Sequence, residues 1–230
     1  MEREREVARG MTLWAALDGG LEVHRTEPAH AERLAALQEI VFPTLAPAQR
    51  FAAAHYRHHV ALFPDGQFCV THGERVVGMT STIRKHLELA HADHTFAEII
   101  AGGWLGSHQP DGAWLYGADM GTHPDYRGRG IARALYAARH DTVRRLGLQG
   151  QLTVGMPSGY GAVQDTITAQ AYYDELVAGQ RRDPTISAQL QIGFTPHGLI
   201  AGYIDDPVCA GYGVVLVLPA ERDVPIRRKP

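Results

Sequence analysis

The segment Thr122-His123-Pro124-Asp125-Tyr126-Arg127-Gly128-Arg129-Gly130-Ile131-Ala132 places a glycine-punctuated turn between an apolar run and a helical repeat. Upstream, Ala113 to Gly121 has the length and apolar character of a buried strand, which Pro124 ends. Downstream, Ile131, Leu135, Ala138, Thr142, Val143 and Leu146 recur at helical spacing and predict one buried stripe. A helix that opens on such a turn leaves its first backbone N–H groups without intrahelical partners, at the positive end of the helix dipole. A pyrophosphate fits there without a dedicated lysine. Glycine at 128 and 130 lets the backbone approach a ligand closely and adopt positive φ.

Spacing separates three phosphate-binding turns. A P-loop needs Lys and then Ser or Thr after its last glycine, but Gly130 is followed by Ile131 and Ala132. A dinucleotide fingerprint begun at Gly128 would put its third glycine on Arg133, and no acidic residue lies near Gly150 to hold a ribose. The run Arg127-Gly128-Arg129-Gly130-Ile131-Ala132 follows instead the pattern Arg/Gln-x-x-Gly-x-Gly/Ala. With its Thr-x-Pro-x-Tyr-Arg-Gly lead-in and a late Gly193-Phe194 pair, it resembles the acetyl-coenzyme A loop of the GNAT N-acyltransferase superfamily.

At 230 residues and 45% hydrophobic composition, the chain is long enough for one domain with an insertion. A net charge of −3, with acidic and basic groups mixed, gives no electrostatic case for binding nucleic acid or an anionic membrane. Cys69 and Cys209 have neither disulfide-framework nor metal-ligand spacing and read as small buried apolar residues. No run approaches a membrane span, and Met1 to Gly10 is charged where a signal peptide has an apolar core. A cytoplasmic protein is expected. Residues 1–20 read as a leader, disordered over Met1 to Gly10; 21–218 as the domain; and 219–230 as a tail with a solvated Arg-Arg-Lys.

The order of elements is that of a mixed α/β fold: a strand over Leu21 to His24, helices over Glu27 to Val41 and after Pro47, and a hairpin over Gln67 to Arg84. The second helix is expected to turn Phe51, His55, His58 and Leu62 to one side. A short helix over Phe96 to Ala101, the 113–121 strand, the 131–146 helix and a strand over Leu148 to Gly155 follow. A helix over Pro184 to Ile192 and strands over Thr195 to Tyr203 and Gly211 to Leu218 close the chain. This succession resembles the GNAT fold, a splayed mixed sheet flanked by helices.

The resemblance implies that the ligand-binding strand and its neighbour part in a V, where a pantetheine arm hydrogen-bonds much as an added strand would. It implies that the backbone of Met120 and Thr122 meets the pantetheine and the acetyl carbonyl. The N–H groups of Arg127, Gly128, Arg129, Gly130, Ile131 and Ala132 would hold the pyrophosphate, with the Arg127 or Arg129 side chain adding charge-assisted contacts. Acetyl-CoA is the implied co-substrate, without a metal. The implied partner is a small-molecule or peptide amine acceptor, and the protein a monomer or homodimer.

Met156 to Thr185 intervenes where most relatives pass quickly from strand to helix. This insertion resembles that of the acetyltransferase-like domain which some bacterial proteins join to a nitrilase-type hydrolase; a hydrolase domain does not fit in the present length. Long loops of this kind usually serve binding, so the insertion reads as an acceptor-site wall.

Acetyl transfer needs a deprotonated amine, an N–H for the tetrahedral oxyanion and a proton for the departing thiolate. Many GNAT enzymes take that proton from a tyrosine four residues before the Gly-Phe pair, and Gln189 stands there. Tyr160, between Gly159 and Gly161, is the expected replacement; Tyr172 and Tyr173 are alternatives that read also as helix packing. For the base, Tyr116 and Asp119 are the candidates, while His123 reads better as a cap or surface residue. Alternation puts Tyr116, Ala118 and Met120 on one face and Asp119 on the other, subject to a bulge at Gly121. A mid-strand carboxylate is costly to bury, so Asp119 is either functional or an arginine's partner.

His55, His58 and His59, and the pair His91 and His94, lack a completing carboxylate or cysteine and read as exposed histidines rather than metal ligands. Two functions remain: an acyl-CoA-dependent N-acetyltransferase, which is preferred, and a catalytically silent acyl-CoA-binding sensor, favoured by Gln189.

Overall fold

A computed structural model describes residues 12–89 and 93–226. The expectations for Met1 to Gly10, His91 and the Arg-Arg-Lys tail lie outside the described residues. In chain order the elements are β1 (Leu13–Ala16), β2 (Leu21–Arg25), α1 (Ala31–Val41), α2 (Ala53–Leu62), β3 (Phe68–His72), β4 (Arg75–Lys85), α3 (Phe96–Ile100) and β5 (Trp114–Thr122). Then come α4 (Ile131–Arg145), β6 (Gly150–Gly155), α5 (Ala169–Val177), α6 (Ile186–Ile192), β7 (Thr195–Ile200) and β8 (Gly213–Pro219).

The strands form one mixed sheet in the order β1-β2-β3-β4-β5-β6-β8-β7, in which only β5 and β6 run parallel. The sheet starts before Leu21, because β1 pairs antiparallel with β2. Four half-exposed residues interrupted by a register shift carry too little alternation to read as a strand.

Helices α1 to α3 cover one face, where Leu34, Leu37, Tyr56 and Ile99 pack with Tyr116, Ala118, Leu152 and Val154. On the other face α4 buries Ile131, Ala134, Leu135 and Ala138 against Val70 and Val77, as its 3.6-residue period requires. Beside them Tyr136, Ile186, Ile192 and Phe194 pack with Val214 and Leu216. Each Val, Leu, Ile or Phe side chain among them contributes about 1.5–3 kcal/mol on full burial.

Helix α2 turns Tyr56 and His59 inward rather than the expected set, because Pro47–Gln49 form a separate 3-10 turn and the helix begins only at Ala53. His59 is therefore buried, not exposed, with Nε2 2.6 Å from the Gly103 carbonyl. Burial pulls its imidazole down to about 4. Cys69 and Cys209 are buried and unpaired, as read.

Strand β5 carries the irregularity that shapes the site. Ser81 pairs with Asp119 and Thr82 with Gly117, which leaves Ala118 as the extra residue of a β-bulge. The bulge lies there and not at Gly121, so the alternation resets three residues early. Asp119 shares the α1–α3 face with Tyr116 and Ala118, whereas Met120 packs with the core under α4.

Candidate active site

The cradle is built by backbone conformation. Gly128 (φ 77°) and Gly130 (φ 82°) are left-handed, and nothing lies within 4 Å of where a Cβ would stand. Conformation, not crowding by the protein, requires glycine there. Gly130 is the N-cap of α4 and no side chain caps the helix, so its first N–H groups have neither an intrahelical nor a side-chain partner. Arg127 and Arg129 lie exposed at this rim, the Arg129 guanidinium 4.9 Å from the Tyr126 ring centroid. His123 is a cap, as read, but a buried one: Nδ1 accepts from the Asp125 N–H at 3.2 Å.

Below the cradle the sheet opens. Pairing between β5 and β6 ends at Gly117 and Thr153, while β6 continues beside β8 as far as Gly155. The parted strands frame a solvent-open cleft that crosses the sheet. Ala132 and Tyr136 of α4 and Gln189 of α6 line one side; Gln38 and Phe42 of the α1 segment and Tyr203 line the other.

Asp119 stands at the crossing. Its Oδ1 accepts the Ser81 N–H at 2.5 Å and its Oδ2 lies 3.3 Å from the Tyr56 hydroxyl. Burial lifts the carboxyl to about 6, against the opposing pull of those hydrogen bonds and of the Arg139 charge. The same burial and the Asp119 charge push Tyr56 well above the ordinary phenol, so it stays a donor, its single proton shared between Asp119 and Gln38 Oε1 at 2.9 Å. A carboxylate near 6 is mostly ionised at neutral pH yet close enough to take a proton.

Across the strand, Arg139 of α4 is fully buried, and its Nε and one terminal nitrogen have no hydrogen-bond partner. Its guanidinium occupies the space that a side chain at Gly117 would fill. It lies 5.0 Å from the Tyr136 ring centroid. Tyr136 Oη in turn accepts from Gln189 Nε2 at 2.8 Å.

The family model described as acetyltransferase (GNAT) family matches residues 31–164, more than half of the chain. The chain belongs to the GNAT acetyltransferase family. Among relatives of this GNAT protein, the Bacillus subtilis (strain 168) protein named "Probable hydrolase YhcX" is 31% identical over 184 residues, covering 80% of this chain and 35% of that protein. The chain thus spans about a third of that relative's length. From the same strain, "Uncharacterized N-acetyltransferase YkwB" is 28% identical over 186 residues, 80% of this chain and 82% of the relative. Among solved structures, the GphF GNAT-like decarboxylase in complex with isobutyryl-CoA superimposes with a TM-score of 0.71 at 23% identity, over 86% of this chain and 99% of that one.

Of the residues picked from the sequence of this GNAT chain, Asp119, Met120, Thr122 and Ala132 line the cleft. Tyr116 does not: it is fully buried, its hydroxyl 3.2 Å from that of Tyr203 and 2.7 Å from His94 Nε2. Tyr160 is likewise absent from the cleft wall. Its ring packs 5.3 Å from Tyr172 and 5.5 Å from Tyr212, because the insertion folds onto the far end of the sheet. Tyr172 donates to Asp183 Oδ2 at 2.9 Å. Of residues 156–185 only Met156, Pro184 and Thr185 line the cleft, so the insertion touches it at its two ends.

Sequence reasoning missed Tyr136, Gln38 and Arg139. The available signal was an arginine three residues after a tyrosine on the buried side of the α4 repeat. Among the described residues no group of three or more His, Cys, Asp or Glu is placed to hold a metal, and no helix is long and apolar enough to cross a membrane.

Proposed function

We propose that this protein moves the acetyl group of acetyl-CoA to a primary amine by direct attack. The observation that carries the reading is the parting of β5 and β6 directly below an uncapped helix start, with Asp119 at the crossing. The N–H groups around Arg127 to Ala132 take the pyrophosphate, with Arg127 or Arg129 closing over it. The pantetheine arm pairs with the free edge of Met120 to Thr122 and brings the thioester to the bulge. Asp119 accepts the amine proton as nitrogen attacks the carbonyl carbon.

The acceptor enters from the α1 side. The wall there is Phe42, Leu45, Phe96, Tyr203 and Ile204, with Asp119 as its one carboxylate and no lysine, arginine or histidine among the lining residues. Such a wall favours an amine on an apolar body over an amino acid, whose carboxylate would lose its hydration unpaired. A thiol-release assay with acetyl-CoA tests this: phenethylamine is expected to outrun phenylalanine and putrescine. Coenzyme A binding without thiol release for any amine or peptide would leave the silent sensor as the reading.

A further inference from the structure

Gln189 leaves the cleft without a phenol where related enzymes carry one, and another helix fills the gap. Tyr136 of α4 meets the Gln189 amide on the same side of the cleft, and both side chains line it. Because Gln189 Nε2 donates to the phenol oxygen, the Tyr136 O–H is free to donate elsewhere. Beneath the ring lies the Arg139 guanidinium, buried with its Nε and one terminal nitrogen without a hydrogen-bond partner, at a place kept open by Gly117. The Asp119 charge acts on this cation, yet two of its buried nitrogens are left without a hydrogen bond, which weakens a fold, and such groups gather where chemistry needs them. We infer that Tyr136 is the proton donor to the departing sulfur, with Gln189 and Arg139 as positioning residues that stabilise the phenolate left behind.

The step rests on the transferase reading above and balances with it. As the tetrahedral intermediate collapses, the C–S bond breaks, its electron pair goes to sulfur and the phenol proton follows. The amine proton has gone to Asp119, and water returns both groups to their starting states. Burial pushes the Tyr136 phenol up, while the Arg139 charge and the Gln189 hydrogen bond hold it down. Among the described residues, the charge that bears on the phenol is that of Arg139, with the Gln189 amide and the Phe194 ring, at 4.9 Å, beside it. The other phenol on the cleft, Tyr203, has its hydroxyl against Tyr116 on the acceptor side.

Two variants of the full chain test this. Tyr136→Phe is expected to lower kcat by about 10² to 10⁴ while leaving coenzyme A affinity in calorimetry nearly unchanged. Wild-type turnover in that variant overturns the inference. If Tyr136→Phe fails to fold, a fluorotyrosine incorporated at 136 keeps the ring and makes the phenol more acidic. The alkaline limb of kcat should then move to lower pH, and a limb that stays in place overturns the inference as well. A wild-type protein that binds coenzyme A yet acetylates no amine sinks the transferase reading itself, and this step with it.

Discussion

Asp119 shows how far a fold can bias one carboxyl. Its folded value of about 6 lies above the ordinary 3.8, so the fold favours the neutral form. The stability it allows is fully present below the unfolded value and is lost as pH rises to about 6, since the native state binds more protons in that window. Two pKa units correspond to about 3 kcal/mol as an upper bound. Asp119→Asn should therefore raise the unfolding free energy at pH 7 and leave it nearly unchanged at pH 4, while turnover falls by about 10² or more. Urea melts at the two pH values check the first part; equal shifts at both would show that the carboxyl is not strained by burial. Arg139→Met should behave alike, holding or raising stability by about 1–4 kcal/mol as a buried charge is removed. It should also weaken turnover by making the Tyr136 phenol less acidic. A large loss of stability would mean that the guanidinium has partners within the native fold.

Strand β5 and helix α4 form a paired unit, and Gly117 is where they meet. Gly117→Ala would drive a methyl into the Arg139 guanidinium, an overpacking expected to cost about 1–3 kcal/mol and to misplace Tyr136. Thermal melts and kcat of the same variant check both effects. In the cradle, Gly130→Asp sets a side chain at φ 82° and a negative charge where phosphate belongs, so coenzyme A affinity should fall at least tenfold with little change in melting. Undiminished binding in calorimetry would remove the pyrophosphate assignment.

At this scale the sequence was most legible where one local rule governs. Helix α4, the positive φ of Gly128 and Gly130 and the β3–β4 hairpin follow from period and turn chemistry, although α4 also buries Tyr136, Ala137, Arg139 and His140 beside the expected stripe. The bulge at Ala118 was not legible, because an extra residue in a strand depends on the register of its partner and leaves no signature in composition. The same lack moved Asp119 to the other face and hid the pairing of Tyr136 with Gln189, two residues brought together only by tertiary packing. Tyr160 between glycines read as the replacement acid, yet the rings of Tyr172 and Tyr212 gather it into a core.

For the whole molecule, acid sensitivity should come from histidines folded in their neutral form. His59, buried and pulled down to about 4, binds its proton more readily once unfolded, so its contribution is full above about 6.5 and lost as pH falls to 4. Burial lowers His30 and His140 in the same direction. Denaturant unfolding should show stability falling over that window despite the opposite trend of Asp119, and His59→Gln should flatten the slope. A profile that rises toward acid would contradict the burial of these imidazoles. One last property follows from α4 being a single unbroken helix. Gly130 and Tyr136 are six residues apart on it, about 9 Å along the axis at 1.5 Å per residue. The phosphate grip and the phenol are thus two marks on one rigid ruler. Such a ruler measures the arm of the acyl carrier rather than the acyl group: N-acetylcysteamine thioesters, too short to touch both marks, should be poor donors even when their thioester chemistry is identical.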